Sequence, residues 1–295
     1  MSATLLADVN DQIQKVWGPL GKDEFVETAT LASVVNRDYE GQINNQNDTV
    51  YVSQINQMTA QRKTTTAPGG NTFETQKVGT SRVAIVADQC FSCAIEIEDL
   101  VKLQSQIGSA ESDIRATMMK ALEDSVNSYL YSLVSPSLSA PDHSIASVTD
   151  FNESEILRAR LLASQANWPD MDRFLFLDPS YYNDLLSVTA MTSADYAPDA
   201  PKIGGKFTFK RHGFTIVEDN SAGLVTAGAA ASSTTADVGL WFHKSFMHLV
   251  LGQSVWELSS SHSNKAFGYI LSCRMYGGAV LGINGDEKHG LTYNT

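Results

Sequence analysis

At 295 residues and 43% hydrophobic content, the chain is long enough for one large or two modest domains around a sizeable core. Its formal net charge of −12, with no Lys/Arg cluster, omits the basic surface on which sequence-independent nucleic-acid binding depends, although an acidic wall can surround nucleic acid without gripping it. No apolar run approaches the roughly 18–20 residues of a membrane span, and MSATLLADVNDQIQ lacks the basic and apolar regions of a signal peptide, so a soluble, unexported chain is expected.

Residues 1–36 read as a helical or extended arm. Val9, Ile13, Val16 and Trp17 form one short apolar face, Gly18-Pro19-Leu20-Gly21 breaks it, and Thr28–Val35 resumes apolar character. A small apolar face on a terminal arm needs a partner surface, its own or a neighbour's. Thr49–Ile55 and Ser81–Ala87 alternate and are rich in β-branched or aromatic residues, so both are predicted strands. The polar stretch joining them, QMTAQRKTTTAPGGNTFETQKVGT, is long for a connection within a compact domain. It carries too few apolar side chains to offset the entropy of ordering it alone, so another chain is expected to order it.

Residues 89–134 hold the strongest helix signal, with a short helix over Asp99–Ile107 and a longer one capped by Ser112 or Asp113. In the longer helix Ile114, Met118, Leu122, Val126, Leu130 and Val134 recur every fourth residue, and Pro136 stops it. Residues 137–150 read as a linker. Asn152 and Glu155 then offer a capping box ahead of Ile156, Leu157, Leu161 and Leu162 at helical spacing. Arg173–Leu177 (RFLFL) is a predicted buried strand, and Asp178-Pro179 starts a helix with Tyr182, Leu185 and Leu186 inward. This helix–strand–helix order points to an α+β domain.

Lys206–Phe209 and Phe214–Glu218 flank Arg211-His212-Gly213 as a predicted hairpin. Ala222–Asp237 is small, nearly uncharged and of low complexity, which predicts a mobile loop. Leu240–Leu281 returns to strand-like character, and no internal repeat is visible.

Motifs for chemistry are sparse. There is no GxSxG elbow, GxGxxG or Walker-type loop. Cys90-Phe91-Ser92-Cys93 has CxxC spacing, but the remaining cysteine, Cys273, has no paired histidine motif, so small buried hydrophobes in a reducing compartment are expected. His243 and His248 fit a strand end and a helix face better than a metal pair. Gly277-Gly278 follows a strand without opening a helix, so close backbone packing explains it better than a phosphate loop. Glu96, Glu98 and Asp99 are read as lying near a helix start. No catalytic, cofactor-binding or metal-ligating residue is assigned, and no cofactor is expected.

Taken in order, these segments resemble the major capsid proteins of tailed double-stranded DNA bacteriophages, with the Hong Kong 97-type coat fold. The resemblance is carried by Val34–Gly41 leading into Asp48–Val52, by the long helix around Arg115–Leu133, by Arg173–Tyr182, by Trp241–Ser245 and by Met275–Gly278. It implies an α+β chain with an N-terminal arm (1–45), an extended E-loop hairpin (46–87), a peripheral domain with a long spine helix and sheet (88–150 and 240–295), and an axial domain (151–239). It further implies a structural, non-enzymatic protein that self-assembles into hexamers and pentamers of an icosahedral head enclosing DNA without sequence-specific binding. Other copies of the chain, a portal protein and scaffolding or decoration proteins would be its partners. No membrane is involved, and the chain is expected in the virion after assembly in the host cytoplasm.

The arm follows almost directly on the start of the chain, so a separate scaffolding protein, or none, is expected. Arg62, Lys63, Glu74 and Lys77 of the hairpin are candidate intersubunit contacts. Some relatives crosslink an E-loop lysine to a neighbour's asparagine, but Lys63 and Lys77 are read here as solvated or ion-paired charges. An encapsulin-like nanocompartment shell is the nearest alternative. A soluble enzyme with a site assembled from scattered residues is a rival of another class.

Overall fold

A computed structural model describes residues 30–39, 48–55, 58, 60, 77–98, 111–134, 141–188, 209–220, 237–252, 255–263, 266–282 and 289–294. The expected helix over Asp99–Ile107, the loop over Ala222–Asp237 (Asp237 apart), the apolar face at Val9–Trp17 and most of the polar stretch after Ile55 lie outside these residues.

A short helix α1 (Thr30–Val34) precedes the antiparallel pair β1 (Thr49–Ile55) and β2 (Thr80–Val86). Strand β3 follows over Gln89–Glu98, a region whose sequence was read as the approach to a helix. Its alternation is the reason: Phe91 and Cys93 turn toward the core, while Cys90, Ser92, Ala94 and Glu96 are exposed. Glu96 and Glu98 therefore lie on a strand, away from any helix start.

The spine helix α2 (Glu111–Val134) has 24 residues, a rod of about 36 Å. It starts before Ser112 and Asp113, so these stand inside its first turn instead of capping it. Met118, Leu122, Val126, Leu130 and Val134 are all at most 2% exposed. Burying that stripe contributes on the order of 10 kcal/mol before entropy is counted.

Two sheets flank this helix. In the first, the 16-residue strand β11 (Ala266–Leu281) pairs with β3 along one edge. Along its other edge run β9 (Met247–Leu251) and β10 (Val255–Ser263) in succession. Leu251 pairs with Gly277 but Val255 with Arg274, so the register slips by one residue between β9 and β10, a bulge-like step. The Gly252 N–H still donates to the Tyr276 carbonyl at 2.8 Å, holding the ladder up to that step.

The second sheet has six strands in the order β4-β12-β8-β5-β7-β6, with β4 (His143–Ile145), β5 (Arg173–Leu177), β6 (Phe209–Arg211), β7 (Phe214–Glu218), β8 (Val238–His243) and β12 (His289–Tyr293). Strands β8 and β12, from the returning part of the chain, thus pair into the same sheet as β5 and β7. The 137–150 segment, expected to be a linker, supplies edge strand β4, parallel to β12.

Both faces of the β5–β8 centre are buried, which is why RFLFL reads as a continuous apolar run. Phe176, Leu240 and Phe242 face the cluster around α2. Leu175, Leu177 and Trp241 face a second cluster with α3 (Glu153–Gln165) and α4 (Pro179–Ser187). The buried Tyr131 hydroxyl on α2 donates to the Asp219 carboxylate beyond β7 at 2.6 Å, tying the spine to this sheet.

Helix α4 begins as its sequence predicts: Asp178 accepts the Ser180 N–H at 3.3 Å and Pro179 opens the first turn. Tyr181 and Leu185 are fully buried, whereas Leu186, expected inward, is 37% exposed. At α3 the predicted capping box does not form. The Asn152 side chain makes no cap bond and its amide donates instead to the Asp150 carbonyl at 3.3 Å. The β6–β7 turn has His212 at φ 49° and Gly213 at φ 86°, the two-residue turn that suits a hairpin's twist.

Candidate assembly interface

The β1–β2 hairpin has two unlike faces. Val50 and Ile85 turn inward, and with Ala87 and Val250 they form a small buried cluster braced by Tyr39, Val52, Val83 and Val280. The other face is bare: Tyr51 is 57%, Ile55 64% and Val86 40% exposed. Arg82 lies 4.2 Å over the Tyr51 ring, a cation–π contact that covers one side of the aromatic.

Among the described residues of the hairpin, the root is the part that is fastened. The Ala87 N–H donates to the Asp48 carbonyl at 3.0 Å, closing the base. Gly278 of β11 sits directly against it: a Cβ there would lie 1.9 Å from the Val86 carbonyl oxygen. Gly277-Gly278 is thus a close backbone approach, the reading its sequence favoured over a phosphate loop. The preceding segment is fastened beside it. Asn36 bridges in parallel to His248, its N–H donating to the Met247 carbonyl and its carbonyl accepting from Leu249. His248 consequently stands on strand β9 rather than on a helix, with its ring 5.9 Å from that of Tyr39.

Of the candidate contact residues, Lys77 is exposed three residues before β2, at the end away from the root, while Arg62, Lys63 and Glu74 lie outside the described residues. The residues sequence reasoning missed are apolar: Tyr51, Ile55, Val78 and Val86 on the hairpin, and Leu157, Leu161 and Met171 around α3. For the hairpin the signal was present, because alternation assigns Tyr51 and Ile55 to one face. For α3 it misled. Ile156, Ala159 and Ala163 are buried, while Leu157 is 45% and Leu161 56% exposed.

The groups that might carry chemistry are spread out. Cys90 is exposed and Cys93 half-buried on the opposite face of β3, so their CxxC spacing does not bring the thiols together. Cys93 is paired in register with Cys273, whose thiol is pushed up by burial. The His243 Nδ1 meets the Ser245 hydroxyl at 2.8 Å and the Ser245 N–H at 3.2 Å, a local turn that ends β8. No group of three or more His, Cys, Asp or Glu side chains that could hold a metal occurs among the described residues, and no described helix is long and apolar enough to cross a membrane.

No family model and no curated protein sequence matches the chain. Its fold, in contrast, recurs in solved structures. A chain of Mycobacterium phage Che8 superposes with a TM-score of 0.66 at 18% identity, covering 95% of this chain and 96% of that one. The capsid of cyanophage P-SCSP1u matches with a TM-score of 0.68 at 14% identity over 97% and 94% of the two chains. The capsid asymmetric unit of cyanophage Pam1 matches with 0.69 at 11% identity over 95% of each. The chain has the Hong Kong 97-type coat fold. That fold accommodates the parts already described: a short helix and a bridge before the hairpin, a long spine helix against a sheet, and a second mixed sheet covered by helices. At such low identity the likeness extends to the fold, and side-chain roles rest on this chain's own geometry.

Proposed function

We propose that this chain is the major capsid protein of a tailed double-stranded DNA phage, a structural protein that acts by forming a closed shell of its own copies. The observation that carries this reading is coverage: the coat fold spans 95–97% of the chain in matches to capsid structures of cyanophages P-SCSP1u and Pam1.

In this reading residues 1–45 are the arm and 46–87 the E-loop reaching a neighbouring subunit. Residues 88–150 and 240–295 form the peripheral domain and 151–239 the axial one, the two sharing a sheet through β8 and β12. The bare face of Tyr51, Ile55 and Val86 supports a hairpin that completes its burial on another subunit. Arg62, Lys63, Glu74 and Lys77 then contribute rim charges worth only about 0–1 kcal/mol per exposed pair, the apolar area carrying the affinity. The net charge of −12 suits a wall that encloses DNA without gripping it. Subunits would assemble in the host cytoplasm around a portal, with scaffolding or decoration proteins as further partners. No catalytic step is assigned.

Electron microscopy of the purified chain tests this directly. Closed icosahedral particles are the expected result, and DNA in particles from infected cells separates a phage head from a shell that packages cargo protein. Deleting Gln57–Gln76 should leave a folded subunit that no longer forms shells. Intact shells from that deletion would remove the role assigned to the hairpin, and a strictly monomeric unmodified chain would remove the shell reading itself.

A further inference from the structure

Two surface patches of the second sheet's helices remain unused by the hairpin and arm. The first is the outward half of α3. Leu157 and Leu161, 45% and 56% exposed, stand one turn apart there, with Arg158 and Arg160 exposed beside them. Neither arginine makes an ion pair among the described residues. Two unpaired cations around an apolar pair are notable in a chain of net charge −12.

The second patch gathers carboxylates around the start of α4. Asp178, Asp184, Glu218 and Asp237 are all partly exposed, and none of them makes an ion pair among the described residues. The strands bring three of them together: Leu177 pairs with Glu218 of β7 and with Gly239 of β8, and the Asp178 N–H donates to the Val238 carbonyl at 3.1 Å, next to Asp237. Burial first, then Asp237 and Glu218, push the Asp178 carboxyl up against the lowering by the Ser180 N–H. Burial, then Asp237, Asp184, Glu155 and Asp178, raise the Tyr181 hydroxyl.

We propose that the Leu157/Leu161 face of α3, with Arg158 and Arg160, docks on the acidic α4 patch of a second copy of this chain. The two surfaces are unlike each other and complementary in charge: cations against carboxylates. A contact between two different patches of identical subunits is head-to-tail, and when its rotation closes it builds a ring. It relieves in the assembly a repulsion that the lone subunit retains, and steers subunits together over the last Debye length. The proposal rests on the shell reading and assigns the axial region's side of the subunit contact.

Charge reversal tests it in the full chain. Arg158→Glu with Arg160→Glu, and separately Glu218→Lys with Asp237→Lys, change exposed or partly exposed side chains that make no ion pair among the described residues, so melting temperatures should stay near that of the unmodified protein. Each pair should reduce ring and particle formation roughly tenfold or more in sedimentation and electron microscopy, the equivalent of about 1.4 kcal/mol in association. Combining all four substitutions should restore assembly. Leu157→Ser with Leu161→Ser should lose assembly without rescue by the acidic-patch reversals. Reversal variants that assemble like the unmodified chain, or a combined variant no better than either pair, would overturn the docking proposal while leaving the shell reading intact. An unmodified chain that forms no particles would overturn the shell reading first.

Discussion

Replacing Gly278 by Ala should loosen the hairpin while sparing the rest of the subunit. The added Cβ would meet the Val86 oxygen at 1.9 Å, its carbonyl carbon at 2.8 Å and the Ala87 Cα at 3.2 Å. All three neighbours are backbone, so no rotamer change relieves the overlap, and the root of β2 has to move away from β11. The overlap itself costs about 1–3 kcal/mol if the backbone yields a little. If it yields enough to unseat the root, Val50 and Ile85, now 7% and 0% exposed, return to water at about 1.5–3 kcal/mol each. The penalty is therefore on the order of 5 kcal/mol, capped by whatever it takes to open the hairpin alone. The spine cluster does not include these residues, so it should survive.

Amide hydrogen exchange reads this directly. Protection across Thr49–Ile55 and Thr80–Val86 should fall by several orders of magnitude in the G278A variant, while α2 and β5 keep theirs. Shell formation should fail in parallel. Gly213→Ala provides the control: it strains a residue at φ 86°, yet its Cβ meets nothing within 4 Å, and assembly should persist. Unchanged hairpin protection in G278A, or a uniform loss across the whole subunit, would refute the argument that this single backbone approach seats the hairpin.

Three further outcomes follow from buried groups. Burial lowers the His289 imidazole from 6.5 to about 4, so the unfolded chain takes up a proton first as pH falls; stability is complete above about 6.5 and declines toward 4, by about 3 kcal/mol in all. His289→Phe should flatten that part of the melting-temperature profile relative to the unmodified protein, and an identical pH slope in both would contradict it. A Cβ on Gly290 would strike the Trp241 ring at 2.2–2.5 Å, so Gly290→Ala should cost about 1–3 kcal/mol or more in denaturant unfolding and disturb the His143–Trp241 stack, seen as altered tryptophan emission. Tyr131→Phe removes a buried donor from Asp219 and should cost about 1–3 kcal/mol, whereas a loss under about 0.5 kcal/mol would mean the carboxylate is fully served by its other contacts.

The sequence was most readable where one periodicity and one punctuation mark agreed. RFLFL became β5, Asp178-Pro179 became the start of α4, and the fourfold stripe of α2 became the middle of the main cluster. It was least readable where small residues set the phase. In α3 the alanines at 159 and 163 pack inward with Ile156, and Leu162 packs against the same cluster, while the larger Leu157 and Leu161 turn outward. Hydrophobicity picks Ile156 and Leu162 correctly but ranks leucine above alanine and so misplaces the other two. In β3 the outward Cys90, Ser92 and Ala94 are weakly polar, so the period of two is plain only toward Glu96, and the pairing with β11 completes the strand. Helix-start carboxylates and a helix-face His248 were casualties of the same weakness, since both readings depended on where a neighbouring element would lie.

The hairpin was legible as an anomaly before its cause was. Two strands joined by a polar excursion cannot sustain themselves in water, because a two-stranded ribbon is marginal without a third strand or a packed face. Here one face does find cover, but only at the root, on Val250 and Val280 and against the missing side chain of Gly278. From Tyr51 outward to Ile55 the exposure climbs to 57% and 64%, so burial weakens in the direction the hairpin extends. A hairpin fastened at its root and bare at Ile55 has its direction set by the subunit and its remaining burial left to whatever it meets. Fastening the root costs little freedom there, because Asp48, Ala87 and the Asn36 bridge already fix the chain on both sides. On the shell reading proposed above, the entropy of ordering would be divided, part during folding and part on contact with another copy.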